Sequence, residues 1–213
     1  LLESRGLGDV YKRQYKDRLL TYKEYDSNAN KVAQGIINEG CKPNGRVAFL
    51  AKNSDQFFEF LYGTMKSRTV AVGINWRLAP PEVSYVINDS KSEILFVGKE
   101  FYPIIREIIN EIPTIKKIIS MDGESEWEHY IFWRDKFEAI DPFLESNIED
   151  DVIQLYTSGT TGYPKGVQLT NKNFIKSNLM VEKTWGKDWH EGSANIICSP
   201  VFHVAGANMC VMG

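Results

Sequence analysis

From Thr157 to Gly166 the chain sets four aliphatic hydroxyls, three glycines and one lysine in ten residues, with no acid among them. Residues of these types at this density suit a polyanion. Glycine has no Cβ, so its backbone turns tightly and lets N–H groups come close to phosphate oxygens. Thr157, Ser158, Thr160 and Thr161 add hydroxyl donors, and Lys165 adds a mobile positive charge. Hydrogen bonds to a charged group contribute roughly 1.5–3 kcal/mol each, so several converging donors make a strong grip.

The elements on either side decide which kind of phosphate loop this is. A Walker A loop requires Gly-Lys followed by Ser or Thr, after a strand and before a helix. Here Lys165 is followed by Gly166, and then Val167-Gln168-Leu169-Thr170 alternates apolar and polar as a strand does. The preceding Val152-Ile153-Gln154-Leu155-Tyr156 is strand-like as well. The loop therefore joins two strands, and no helix dipole serves it. Side-chain hydroxyls stand in for what a helix N-terminus supplies elsewhere.

The run Tyr156-Thr157-Ser158-Gly159-Thr160-Thr161-Gly162-Tyr163-Pro164-Lys165-Gly166-Val167 resembles the phosphate-binding signature of the adenylate-forming (AMP-binding) superfamily at every fixed position. That superfamily comprises acyl-CoA synthetases, aryl-CoA ligases, peptide-synthetase adenylation domains and beetle luciferases. Resemblance runs from about Leu19 to the end. Leu20-Thr21-Tyr22-Lys23-Glu24-Tyr25 is similar to the family's opening motif and is also a helix start, with Thr21 and Glu24 forming a capping box. Asn75-Trp76-Arg77-Leu78-Ala79-Pro80, followed by Glu82, Tyr85 and Asp89, resembles a segment of acyl-CoA synthetases rather than of amino-acid-activating domains. Ser199-Pro200-Val201-Phe202-His203-Val204-Ala205-Gly206 resembles the family's Pro-x-Phe-His-x-x-Gly segment beside the acyl and adenylate groups. That resemblance assigns His203, Val204, Ala205 and Gly206 to the substrate pocket. Three positions depart from the family: Lys66-Ser67-Arg68 stands where Lys-Ala-Gly is usual, and Gly73 where a proline is usual. An arginine at Arg68 strains any turn that needs positive φ.

Around these motifs, strand and helix patterns alternate. Ala29, Val32, Ala33, Ile36 and Ile37 give a helical apolar face, with Gly40 as its stop. Strands are predicted at Arg46–Ala51, Val70–Asn75, Glu93–Val97, Lys117–Ser120, Val152–Thr157, Gly166–Thr170 and Asn195–Cys198. Helices are predicted at Asp55–Lys66, Pro81–Asn88, Phe101–Asn110 and Asn171–Lys183. Trp127–Asp151 reads as a connector whose acidic run, Glu145 to Asp151, faces solvent. Alternation of this kind predicts an α/β fold with a parallel-rich sheet and helices on both faces. The resemblance makes it an incomplete N-terminal part of the adenylate-forming enzyme fold.

Composition narrows the remaining classes. The 213 residues carry 25% charged and 43% hydrophobic side chains, as a globular protein does. A net charge of −3 gives no nucleic-acid footprint, and no apolar run approaches a transmembrane span. Three cysteines, Cys41, Cys198 and Cys210, suit free thiols in the cytoplasm, with peripheral membrane association left open. Residues 1–14, ending Asp9-Val10-Tyr11-Lys12-Arg13-Gln14, read as the in-frame translation of a transposase sequencing adapter and are set apart as a non-native leader. Residues 15–213 then read as a partial N-terminal AMP-binding domain that stops at Gly213 without cap or polar tail, the C-terminal domain being absent.

The resemblance implies a two-step reaction. A carboxylate attacks the α-phosphate of ATP, giving an acyl-adenylate and pyrophosphate; the thiol of CoA then displaces AMP. Thr157, Ser158, Gly159, Thr160, Thr161, Gly162, Lys165 and Gly166 are the expected ATP-phosphate residues, acting by position and charge. Mg²⁺ is expected on the phosphates rather than in a protein metal site. Family segments that carry the Mg²⁺-linked glutamate, the ribose contacts, the hinge and the C-terminal lysine are not found, so no complete catalytic set is expected in these 213 residues, and the chain alone is expected to be inactive. A small carboxylic acid is the expected substrate, a fatty acid first and an aryl acid second. Alternatives are an adenylation domain feeding a carrier protein, a non-catalytic nucleotide-binding relative, and a P-loop NTPase, which the strand after Lys165 disfavours.

Overall fold

The computed structural model describes residues 12–157, 163–186 and 193–212. A small antiparallel hairpin, β1 (Lys12–Tyr15) with β2 (Arg18–Thr21), comes first and overlaps the end of the 1–14 segment. Helix α1 (Tyr22–Asn38) follows directly. Thr21 Oγ1 accepts the Glu24 N–H at 3.2 Å while the Thr21 N–H donates to Glu24 Oε2 at 2.7 Å. This reciprocal cap satisfies two orphan donors and is worth about 1 kcal/mol. Gly40, in the left-handed region at φ 83°, takes the chain out of the helix. Ala29, Val32, Ala33 and Ile36 are buried as predicted, while Ile37 lies at the edge of that face and is exposed.

The main sheet is built from β3 (Arg46–Leu50), β4 (Val70–Gly73), β5 (Ser92–Val97), β6 (Lys117–Ser120), β7 (Glu128–His129), β8 (Asp151–Thr157) and β9 (Lys165–Thr170). Among the described residues its order is β7-β6-β5-β3-β4-β8-β9. Each neighbouring pair is parallel except β8–β9, which is antiparallel. The parallel connections carry helices α2 (Gln56–Lys66), α3 (Pro80–Ser90) and α4 (Tyr102–Ile108), since parallel neighbours cannot be joined by a tight turn.

Two cores result from the strand period. Val47, Phe49, Ile94 and Phe96 point to one face and meet Val32, Phe57, Phe60 and Leu61. Ala48, Leu50, Leu95 and Val97 point to the other and meet Val83, Val86, Ile87 and Ile105. Both faces are covered, so these strands read as apolar runs rather than alternations. A fully buried side chain of this size contributes about 1.5–3 kcal/mol.

Two expectations fail. Asn195–Cys198 is not a strand: it pairs with no strand among the described residues, and Ile196 is 78% exposed. The connector Trp127–Asp151 is not featureless. It holds β7 and the short helix α5 (Tyr130–Arg134), whose Tyr130 and Trp133 are 0% and 1% exposed. The Tyr130 hydroxyl and the Arg134 guanidinium both donate to buried Glu59 of α2, so five residues of helix are fixed by a charge as well as by rings. Cys41 and Cys210 are buried and Cys198 is exposed, and none of the three is in a disulfide. Burial, with Glu93 beside it, pushes the Cys41 thiol up to about 12.

Candidate functional site

The carboxyl ends of parallel strands are where open α/β sheets bind ligands. Here β3, β4 and β8 end side by side, and β8 runs into the hydroxyl-rich segment that returns as β9. Thr157 and Lys165 are register partners at the mouth of this antiparallel pair, and both are exposed. A hydroxyl and an ammonium thus stand opposite each other where the segment leaves and re-enters the sheet. Ser158, Gly159, Thr160, Thr161 and Gly162 lie outside the described residues. Gly166 pairs with Tyr156 across the hairpin, and a Cβ there would stand 2.4 Å from Gln154 Nε2. In this chain, therefore, Gly166 also makes room for a side chain of the neighbouring strand.

The second motif is brought to the same end of the sheet. A Cβ on Gly73, the last residue of β4, would lie 2.9 Å from Phe202 Cα, so the small residue at this departure from the family pattern admits the 199–206 segment. Gly73 is in turn the register partner of Leu155, two residues before Thr157. Asn53, just after β3, fixes the segment with two bonds: its Nδ2 donates to the Ser199 carbonyl at 2.8 Å and its Oδ1 accepts the Val201 N–H at 3.1 Å. Nothing in the sequence singles out Asn53, because its partners lie 146 and 148 residues away.

His203 is exposed and opens helix α7 (Val204–Met212), the helix after α6 (Asn171–Trp185). Its Nδ1 accepts the Ala205 N–H at 3.3 Å, which caps the helix and fixes the tautomer with the proton on Nε2. That leaves Nε2–H as the donor this ring can offer. Val204 and Ala205 are exposed beside it, whereas Gly206 is buried against the Ser199–Pro200 turn. Trp76 has the packing role that its position after a strand suggests. Its ring meets Phe202 edge-on at 6.1 Å, and the Arg77 guanidinium lies 4.2 Å from its centroid.

Two further features bear on the chemistry. A cleft of about 510 Å³ opens on the α3 side of the sheet, lined by Arg46, Asp89, Lys91, Glu93, Gln154 and Gly166 among others. It shares Gly166 with the hydroxyl-rich run but contains neither Thr157 nor Lys165, so it backs the hairpin rather than forming its mouth. Among the described residues no three His, Cys, Asp or Glu side chains converge as a metal site would require. Hydroxyls and ammonium fit phosphate oxygens; they do not fit a cation.

The hydroxyl-rich hairpin and the His-bearing segment thus meet at the carboxyl end of a doubly wound α/β sheet. The family model described as AMP-binding enzyme matches residues 8–213, and the chain belongs to that family. The fatty acid–acyl-carrier-protein ligase ScoC of Streptomyces coeruleorubidus is 38% identical over 192 residues, covering 89% of this chain and 36% of its own length. The long-chain-fatty-acid–CoA ligase FadD13 of Mycobacterium tuberculosis is 33% identical over 202 residues, covering 92% of this chain and 38% of its own. The inhibitor-bound N-terminal domain of FACL13 from Mycobacterium tuberculosis matches with a TM-score of 0.77 at 29% identity, covering 92% of this chain and 48% of that one. The chain thus spans little more than a third of the length of these curated relatives. No helix among the described residues is long and apolar enough to cross a membrane.

Proposed function

We propose that the longer protein to which this chain belongs activates a carboxylic acid with ATP, forming an acyl-adenylate and pyrophosphate, and passes the acyl group to the thiol of CoA. The observation that carries this reading is the pairing of Thr157 with Lys165 at the mouth of the β8–β9 hairpin in a member of the AMP-binding family. Thr157, Ser158, Thr160 and Thr161 donate hydroxyls to the triphosphate, Gly159, Gly162 and Gly166 let the backbone in, and Lys165 balances charge on the departing pyrophosphate. Mg²⁺ bound with ATP would supply further positive charge at the phosphates, beside the charge of Lys165. His203, with Val204, Ala205 and Gly206, lines the wall beside the acyl group and offers Nε2–H to it.

A fatty acid is the substrate class that both named ligases support. One observation favours a second acceptor: the relative at 38% identity is named for transfer to an acyl-carrier protein, whose thiol would stand where that of CoA does. Exchange of labelled pyrophosphate into ATP, run on the longer protein across fatty and aryl acids, tests the first half-reaction. Thioester formation with CoA against a carrier protein then separates the acceptors. Exchange that needs a fatty acid and falls at least about tenfold in Lys165→Ala supports the reading; exchange indifferent to Lys165 overturns the assignment of the loop. The 213-residue chain alone is expected to make no thioester.

A further inference from the structure

The phosphate run hangs between two strands, and one of them is poorly secured. Among the described residues β9 is the outer strand of the sheet, bonded to β8 alone. Donors that must converge on a triphosphate have to be held within about 0.5 Å of their working positions. A strand restrained on one edge does not meet that demand unless something else holds it.

Helix α3 does so with two residues one turn apart. Tyr85 and Asp89, four positions apart in sequence, share one face of the helix. The Tyr85 hydroxyl donates to the Pro164 carbonyl at 3.2 Å, and its ring packs on that of Tyr163 with centroids 5.3 Å apart. Asp89 Oδ2 accepts the Tyr156 hydroxyl at 2.6 Å. Tyr156 ends the approach to the run and Tyr163-Pro164 ends its return, so α3 grips both stems. Behind Tyr156 the contact continues: Gln154 Nε2 donates to the Tyr156 hydroxyl oxygen at 2.9 Å, and Arg46 Nε donates to Gln154 Oε1 at 3.4 Å. Gly166 is what allows the hairpin to close over this row, because a methyl there would strike Gln154 Nε2 and press on the Tyr156 ring at 3.1 Å. Burial and the Asp89 carboxylate both keep the Tyr156 phenol protonated, so it remains the donor in its bond to Asp89.

We propose that Tyr85 and Asp89 are positioning residues for the triphosphate: they touch neither nucleotide nor acid, and they hold the two stems so that Thr157 and Lys165 face the β- and γ-phosphates. The proposal rests on the reading of this run as the ATP-phosphate loop. It makes a prediction that a general packing role does not. The grip serves the pyrophosphate portion, so its loss weakens ligands that contain β- and γ-phosphates and spares AMP.

The test is equilibrium binding of ATP, inorganic pyrophosphate and AMP to the full-length protein by calorimetry, alongside KM and kcat in pyrophosphate exchange. Tyr85→Phe keeps the ring and removes the hydroxyl; Asp89→Ala removes the acceptor; Asp89→Asn restores an acceptor oxygen for Tyr156. Tyr85→Phe and Asp89→Ala are expected to weaken ATP and pyrophosphate about tenfold and to raise KM for ATP alike. AMP affinity and KM for the acid stay within about twofold. Asp89→Asn recovers most of the loss. Equal weakening of AMP and ATP, or no change in either, overturns the proposal. A wild-type protein that binds no ATP and shows no exchange with any acid sinks the functional reading and this inference with it, whereas normal wild-type exchange with indifferent Tyr85 and Asp89 variants sinks the inference alone.

Discussion

At the scale of single residues, the position that departs most from the family pattern also carries an energetic signature. Arg68 sits in the left-handed region at φ 55°, where a non-glycine residue costs about 1 kcal/mol. Its guanidinium forks onto Asp150, with Nε to Oδ2 at 3.0 Å and Nη2 to Oδ1 at 3.1 Å. The pair is about a quarter to a third exposed, so solvent screening holds it to about 1 kcal/mol. The two effects nearly cancel, which is how an arginine can occupy a glycine's place. Arg68→Ala is therefore predicted to lose the pair and keep the strain, lowering stability by about 1 kcal/mol. Arg68→Gly loses the pair and relieves the strain, and should unfold close to wild type. Urea midpoints at unchanged slope check the order; an alanine variant as stable as the glycine variant would show that the turn carries no strain.

Among elements, those with a strong period were legible and those fixed by distant partners were not. The capped helix α1, the aromatic helix α2, the apolar strands β3 to β5 and the β8–β9 pair all announce themselves through local pattern. Helix α5 does not, because five residues are too few for a period and its order comes from Glu59, 71 and 75 residues away. The site divides in the same way. Thr157, Lys165 and His203 belong to contiguous motifs, so they stand out in the sequence as candidates. Asn53 could not, nor could the grip of Tyr85 and Asp89 on both hairpin stems, since each of these depends on which elements become neighbours. The seat of α7 is the sharpest case of such dependence. A Cβ on Gly206 would stand 2.3 Å from the Pro200 carbonyl oxygen and 2.7 Å from that of Ser199, both backbone atoms that cannot swing aside. Gly206→Ala is predicted to cost about 1–3 kcal/mol by overpacking. Asn53→Ala, which frees the same turn from β3, is predicted to cost about 1–2 kcal/mol. The double variant should then lose less than the sum, because a turn already released has less left to lose. Additive urea midpoints would mean that Asn53 and Gly206 do not act on one turn.

For the molecule as a whole, the charges at the β7 edge of the sheet set how it responds to acid. Lys117, and then Lys136, hold the Glu128 carboxyl below its usual range. Arg134 first, with help from Lys31 and against some burial, does the same for Asp135. Arg106 brings exposed Glu126 down to about 2. These three carboxylates link α4, β6, β7 and α5 to α1, so they fasten the edge of the sheet farthest from the β8–β9 hairpin. A carboxylate whose value is lower folded than unfolded stabilises the fold above the unfolded value, and that contribution is lost as pH falls through the folded value. The unfolded values are about 3.9 for Asp and 4.3 for Glu, so these groups leave stability flat from about pH 7 to 5 and erode it from about 4.5 down to 2. Lys117→Met removes the principal partner of Glu128 and should flatten part of that slope while changing the neutral plateau little, the pair being partly exposed. Salt gives an independent check, because pairs near the surface are screened at 1 M, where the Debye length is about 3 Å. Thermal midpoints measured from pH 7 to 2 should therefore fall less steeply in high salt and in Lys117→Met. An acid slope indifferent to both would locate the loss in carboxylates elsewhere in the fold.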